Sequence, residues 1–285
     1  MMKCRHCAQP IDHVFVDLGL RPSANKFLTA AELDEIKRGK PEPKFPLKVL
    51  FCPRCGLVQL AEYRGPKEMF TPEYTYFSSY SGSWIDHARR YADMAAERFA
   101  LGANSLVVEI ASNDGYLLQY FVAKGIPCLG IDPARNAAEA ARRKGVETLV
   151  DFFGTDLARR LARERGRADL IAGNNVLAHV PDINDFVQGL HVLLKDDGVV
   201  TLEFPHLARL VEGTQFDTIY DEHYFYFSLK TVRTVFARHG LAVFDVEKLP
   251  THGGSLRVYG GRAEAVGRNP APAIAQVIAE ENTLG

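Results

Sequence analysis

The chain has 285 residues, 47% of them hydrophobic, and a formal net charge of −1. That length accommodates one large or two modest domains, and that apolar content supports a packed core rather than disorder. A near-neutral balance offers no basic field for nucleic acid or an anionic membrane surface. The opening "MMKCRHCAQPIDHVF" has no apolar signal region, and no later window is apolar for long enough to span a bilayer, so a soluble cytoplasmic protein is expected.

Residues 1–70 read as a small module of short strands and loops. "HVFVDLG" has the pattern of a strand, "TAAELDEIKRG" of a short polar helix, and "KPEPKFPLKVLFC" of a proline-broken run. Four of the five cysteines fall here, as Cys4-x-x-Cys7 and Cys52-x-x-Cys55, while Cys128 stands alone. Two thiolates two residues apart reach one tetrahedral zinc from a single turn, and a second such turn closes the shell. Gly56, after the second pair, lets backbone amides turn toward the sulfurs. Four cysteine ligands leave no open coordination position, so the zinc would be structural. Four reduced core cysteines are the alternative. His6 and His13 lie nearby, but four thiolates need neither.

An aromatic and serine-rich connector follows, "TPEYTYFSSYSGSW". Its hydroxyls, from Tyr74, Tyr76, Ser78, Ser79 and Ser81, suit a polyhydroxylated or phosphorylated ligand, or else form a plain aromatic hinge. "WIDHARRYADMAAERFAL" has helical spacing. Strands then alternate with helices: "SLVVEIA", "CLGID", "ETLVDFF", "ADLIAGNNV" and "VVTLEFP" are continuous apolar strands, separated by "GYLLQYFVAKG", "ARNAAEAARRKG", "GTDLARRLARERG" and "INDFVQGLHVLLKDDG". This order predicts an α/β fold, a doubly wound and mostly parallel sheet covered on both faces. "LAVFDVEKL" and "GGSLRVYGG" have no helix between them, so one of them is expected to run antiparallel. Residues 71–265 would form this second domain. Residues 266–285 read as a linker and an unfinished helix, the start of a truncated or missing C-terminal domain.

"VVEIASNDGYLL" places an acidic residue near a strand end, then a small-residue turn, then a helix. A doubly wound sheet opens its cofactor crevice at such a point. Ala111 and Asn113 stand where glycines are usual, Ser112 lies between them, and Gly115 remains. A pyrophosphate needs close backbone approach, which Asn113 and Asp114 obstruct by bulk and charge. A cationic sulfonium with an amino-acid tail would welcome Asp114 and Glu109. Asp132, ending the next strand, is placed for two ribose hydroxyls, and Phe152 and Phe153, after the third strand, for an adenine. Asn174 and Asn175 end the fourth strand at the same edge. Together these residues point to S-adenosylmethionine; a nicotinamide dinucleotide is the competing ligand, disfavoured by the missing glycines.

One stretch does not fit an ordinary strand or loop: "FDTIYDEHYFYFSL" sets Glu222 and His223 among Tyr220, Tyr224, Phe225, Tyr226 and Phe227. It is either a buried structural knot or a place for proton chemistry. His179 follows the fourth strand, on the cofactor side of the predicted sheet, and "EFPH" adds His206.

With "YFSSYS", "VEIASNDGYLL", "NNVLAHVPDINDFV", "EFPH", "YDEHYFYFS" and "THGGSLRVY" following the cysteine pairs in this order, the chain resembles the sugar C-methyltransferase family from Cys4 to about Arg262. That family acts at C-3 of nucleotide-linked 4-keto-deoxyhexoses. The resemblance implies an N-terminal zinc module, a class I methyltransferase domain and a further C-terminal domain. Where the family commonly reads Tyr-His-Glu-His, this chain has Asp221 for the first histidine, while Tyr220, Glu222 and His223 match. The resemblance also implies that His179 and Tyr76 line the active site. Carbon methylation beside a ketone requires a base and an oxyanion donor. His223, oriented by Glu222, is the expected base, and Tyr220, Tyr76 or His179 the expected donor, with Asp221 turned away. The other readings are a zinc-bearing RNA methyltransferase, which the scattered Lys and Arg residues of the first module do not favour, and a non-catalytic scaffold. No nucleic acid or membrane partner is expected.

Overall fold

A computed structural model describes residues 2–25, 27–61, 65, 75–266 and 270–284. Tyr74 and the expected boundary between residues 70 and 71 lie outside the described residues.

The larger sheet has seven strands in the order β12-β13-β10-β9-β6-β7-β8. They are β6 (Val107–Ile110), β7 (Cys128–Ile131), β8 (Thr148–Leu149), β9 (Ala168–Asn174), β10 (Leu194–Pro205), β12 (Leu241–Leu249) and β13 (Ser255–Arg262). β6 to β10 pair in parallel, and β13 runs antiparallel to both β10 and β12. This is the class I methyltransferase arrangement. Its parallel strands are largely apolar because helices cover both faces. Val108 and Ile171 pack into one face, and their chain neighbours Val107 and Leu170 into the other.

Two strands differ most from their expected lengths. β8 stops at Leu149, so that Val150 to Phe153 leave the ladder; it is the edge strand, with no outer neighbour to hold a longer run. β10 begins at Leu194, because "LKDDG" joins the sheet through a register shift between Leu194 and Val199. Among the described residues, no helix is long and apolar enough to cross a membrane.

The N-terminal module pairs β1 (Met2–Lys3) with β2 (Pro10–Ile11), beside a four-stranded sheet. That sheet contains β3 (Val14–Arg21), β4 (Phe45–Phe51) and β5 (Val58–Leu60), and its fourth strand comes from far along the chain. β11 (Phe225–Tyr226) pairs antiparallel with β5, setting Phe225 against Gln59 and Tyr226 against Val58. The small core reflects the join: Leu47, Val49, Val58 and Leu60 pack with Leu210, Ile219 and Tyr226. The polar helix Ala30–Lys37 buries none of its residues and is started by a capping box between Thr29 and Glu32.

Candidate active site and metal centre

The two cysteine turns meet. All four sulfurs of Cys4, Cys7, Cys52 and Cys55 lie within 4.8 Å of one another, and Cys4–Cys55 and Cys7–Cys52 are each 3.6 Å apart. Ligands about 2.3 Å from a tetrahedral zinc are about 3.8 Å from each other, so the cluster fits that ion. The turns are built alike: Ala8 N–H donates to Cys4 O, and Gly56 N–H to Cys52 O. Both residues are left-handed, Ala8 at φ 60 and Gly56 at φ 75, so alanine adopts in the first turn what glycine adopts freely in the second. Gln59 Nε2 donates to Cys4 Sγ at 3.3 Å, a further bond to the sulfur shell.

At the C-terminal ends of β6, β7, β9 and β10 the sheet opens into a cavity of about 540 Å³. Of the cofactor candidates, Ala111, Asn113, Asp132, Phe152, Phe153, Asn174 and Asn175 line it. Glu109, Ser112, Asp114 and Gly115 do not. Glu109 is fully buried within β6, and Asp114 is held 3.0 Å from Lys144 Nζ. A direct welcome of a sulfonium by these two carboxylates therefore does not match their positions. Burial raises the Glu109 carboxyl well above its usual range.

The turn after β6 takes the course that glycines would take, at a cost in strain. Ala111 has φ 58, Asn113 φ 48 and Gly115 φ 75. A Cβ on Gly115 would sit 3.1 Å from Val146 and 3.2 Å from Ala141, which leaves glycine as the fitting residue. Asn113 works in both directions. Its backbone N–H donates to Asp132 Oδ2 at 2.8 Å, its Oδ1 accepts from Ser78 N–H at 2.9 Å, and its Nδ2 donates to Tyr76 O at 3.0 Å. It thereby fastens the aromatic connector to the crevice and sets Tyr76 at the cavity wall.

All five expected catalytic residues, Tyr76, His179, Tyr220, Glu222 and His223, line the same cavity. Tyr220 Oη lies 2.8 Å from His223 Nε2, and His223 Nδ1 lies 2.8 Å from Thr218 O. A carbonyl only accepts, so Nδ1 carries the proton and Nε2 receives the Tyr220 hydroxyl. The orienting group of His223 is thus the Thr218 carbonyl and not Glu222, which corrects the expectation above. Glu222 instead accepts from Asn25 Nδ2 at 2.8 Å, a residue 197 positions earlier in the N-terminal module. Asp221 accepts from Ala24 N–H at 3.1 Å and is absent from the cavity wall. The rings of His179 and His223 are 4.7 Å apart and edge-on. Burial lowers His179 to about 4 and takes His223 well below 6.5, so both are neutral at physiological pH. Burial, with Glu222 second, raises the Tyr220 hydroxyl above its usual range. Sequence reasoning missed Asn25, Thr218, Trp84 and His252. The first two act through long-range or backbone contacts, while "THGG" and the lone tryptophan were visible as motifs without a role.

A methyltransferase domain model matches residues 84–246, more than half of the chain. The chain belongs to this methyltransferase family. A zinc binding domain model matches residues 4–70 of the same methyltransferase. The C-methyltransferase NovU of Streptomyces niveus is 39% identical over 283 residues, covering 99% of this chain and 66% of the relative. The chain therefore spans slightly less than two thirds of that relative's length. A ubiquinone biosynthesis O-methyltransferase of Bartonella quintana is 26% identical over 98 residues, 34% of this chain and 40% of that one. Among solved structures, a complex between the Haloferax volcanii Trm112 methyltransferase activator and a methyltransferase matches at TM-score 0.50 and 16% identity. That match covers 63% of this chain and 92% of the other and shows the fold alone.

The methyltransferase's crevice fits S-adenosylmethionine. Asn174 Oδ1 and Asn175 Oδ1 are buried acceptors without a hydrogen-bond partner among the described residues, and both residues line the cavity. Asp132 Oδ1 and Oδ2 each accept one backbone amide, from Ala134 and Asn113, leaving a lone pair on each oxygen for a hydroxyl. Burial raises Asp132 to about 6, and the amides offset part of that rise.

Proposed function

We propose that this methyltransferase transfers a methyl group to C-3 of a nucleotide-linked 4-keto-deoxysugar by way of an enolate. The observation that carries the reading is the Tyr220–His223 pair, a neutral base and a phenol joined by a 2.8 Å hydrogen bond, in the cavity that holds the cofactor candidates. NovU, described as a C-methyltransferase and similar over almost the whole chain, supports the same chemistry.

S-adenosylmethionine, bound along Asp132, Phe152, Phe153, Asn174 and Asn175, would supply an electrophilic methyl group. A carbon beside a ketone has no lone pair, so the protein must first create one. When the C-4 carbonyl enters, the Tyr220 hydroxyl turns from His223 Nε2 to the carbonyl oxygen. The freed Nε2 takes the C-3 proton, the C–H electron pair becomes the enolate, and the imidazolium is held at Nδ1–H by Thr218 O. Tyr220 then donates to the enolate oxygen, and the edge of His179 closes the pocket against water. A carboxylate at position 221 facing the enolate would raise its energy, which agrees with Asp221 being turned to Ala24. Position and charge are supplied by fixed groups, so little reorganisation is needed during the reaction.

The test is mass spectrometry on a panel of 4-keto-deoxysugar nucleotides, with a gain of one methyl expected on at least one. Deuterium exchange at C-3 in the presence of a non-transferring cofactor analogue is expected separately. Failure to methylate any member, with S-adenosylmethionine bound, would remove the reading.

A further inference from the structure

The turn after β12, "THGGS", contributes His252 to the cavity wall and has no role so far. His252 lines the cavity with a left-handed backbone, φ 51 and ψ 41, a conformation that histidine adopts at a cost. Gly253 and Gly254, at φ 77 and φ 117, continue the turn. Five hydrogen bonds hold it. Thr251 O accepts from Gly254 N–H and Ser255 Oγ, each at 2.9 Å; Gly253 O accepts from Gln215 Nε2 at 2.9 Å; and Gly254 O accepts from His206 N–H at 3.0 Å. Thr251 Oγ1 donates to Glu203 Oε1 at 2.9 Å.

Glu203 is fully buried, and its other oxygen accepts from Arg257 Nη2 at 2.7 Å and faces His87 Nε2 at 2.8 Å. A buried ionic group of this kind costs desolvation and adds little net stability over an apolar filling. What it does here is fix Thr251, and through it the residue that follows. The imidazole of His252 meets Trp84 edge-on at 5.2 Å, and Trp84 lines the same cavity. Neither ring nitrogen of His252 has a hydrogen-bond partner among the described residues. Strain, a rigid mount and an unused imidazole facing the cavity coincide at one residue.

We infer that His252 contacts the substrate, its imidazole hydrogen-bonding an oxygen substituent of the sugar ring. This rests on the sugar C-methyltransferase reading and adds a specificity residue to it. His223 and Tyr220 act on C-3 and the C-4 carbonyl, whereas His252 sets which ring orientation reaches them.

The backbone supplies a sharp test. Glycine and asparagine both accept a left-handed conformation, so His252→Gly and His252→Asn relieve strain instead of adding it. H252G is expected to melt no lower than the wild type and to bind S-adenosylmethionine within about twofold of it. Its kcat/KM on the 4-keto sugar is expected to fall by at least about tenfold, mostly through KM, with H252N recovering part of the loss. An H252G protein with wild-type kcat/KM would overturn the inference while leaving the functional reading intact. A cofactor affinity weakened along with kcat/KM would also overturn it, by assigning His252 to the cofactor. A wild-type protein inactive on the whole panel would instead remove the functional reading, and this inference with it.

Discussion

Gln59 faces Phe225 across the seam between the two parts of the protein, while its side chain donates to Cys4 Sγ at 3.3 Å. One fully buried residue therefore joins the sulfur cluster to the strand that begins two positions after His223. The next residue repeats the join, since Leu60 N–H donates to Tyr224 O at 2.9 Å. On the other flank of the module, Asn184 Nδ2 donates to Arg5 O and His6 O, inside the first cysteine turn. The cysteine module is built into the framework of the cavity rather than appended to it.

Metal removal should therefore reach the cavity. A structural zinc contributes apparent binding energy on the order of 10–16 kcal/mol, so chelation is expected to unfold the module and release β11 from β5. Turnover is expected to be lost in proportion to bound zinc, although no cysteine lines the cavity. Metal content, activity and hydrogen exchange at the Phe225 and Tyr226 amides, followed together, check this. Retained protection at those amides in metal-free protein would show the seam to be independent of the cluster.

The Tyr220–His223 pair divides the chemistry into two measurable parts. His223→Asn is expected to cost about 10²–10⁴-fold in turnover and to abolish C-3 deuterium exchange. Tyr220→Phe leaves the base in place and removes the oxyanion donor, for an expected loss of about 10²–10³-fold with slow exchange still detectable. Exchange at the wild-type rate in His223→Asn would move the base elsewhere.

Much of this arrangement was legible from residue types at fixed positions. The cysteine spacing located the sulfur cluster, and the residues ending each parallel strand located the cavity, because strand ends in a doubly wound sheet share one edge. What orients His223 was not legible: the group is the carbonyl of Thr218, and every residue has a carbonyl. The partner of Glu222 was hidden for a different reason. Asn25 is 197 positions away, and its module reaches the cavity through long-range contacts such as the pairing of β11 with β5. Glu109 and Asp114 were credited with facing a ligand because their charge is visible in the sequence, whereas burial within β6 and the Lys144 pairing are not.

The pH response follows from groups that pull in opposite directions. His179, lowered from 6.5 to about 4, and His223, lowered well below 6.5, bind fewer protons folded than unfolded. Their contribution to stability is fully present above 6.5 and is lost as pH falls toward 4. Asp132, raised from 3.8 to about 6, and Glu109, raised well above 4.5, behave in reverse. Their contribution is present below their unfolded values and is lost as pH rises through the folded ones. Glu109→Gln is therefore expected to stabilise the ligand-free protein at pH 8 by about 1–3 kcal/mol, with the gain vanishing near pH 4. Urea unfolding at the two pH values checks it, and an equal effect at both would mean that Glu109 does not titrate between them. The acid limb of turnover is expected below 6.5, since His223, the proposed base, is held well below 6.5 by burial.

Glu281 carries the last prediction. It lies on the helix Pro272–Leu284, and its carboxylate accepts from three donors: His206 Nε2 at 2.8 Å, Leu229 N–H at 2.5 Å and Lys230 N–H at 3.2 Å. Two of these are the otherwise unsatisfied amides that open the helix Leu229–Arg238. The third belongs to the residue that bridges to Phe227, just beyond the aromatic run after His223. Glu281→Ala would leave these buried donors without a partner, and a loss of about 3–5 kcal/mol in unfolding free energy is expected. Glu281→Gln keeps the acceptor oxygen and is expected to cost about 1–2 kcal/mol. Equal costs for the two variants would show that the helix is held by Ile274 and Val277 alone, with the carboxylate contributing nothing to the wall behind the catalytic stretch.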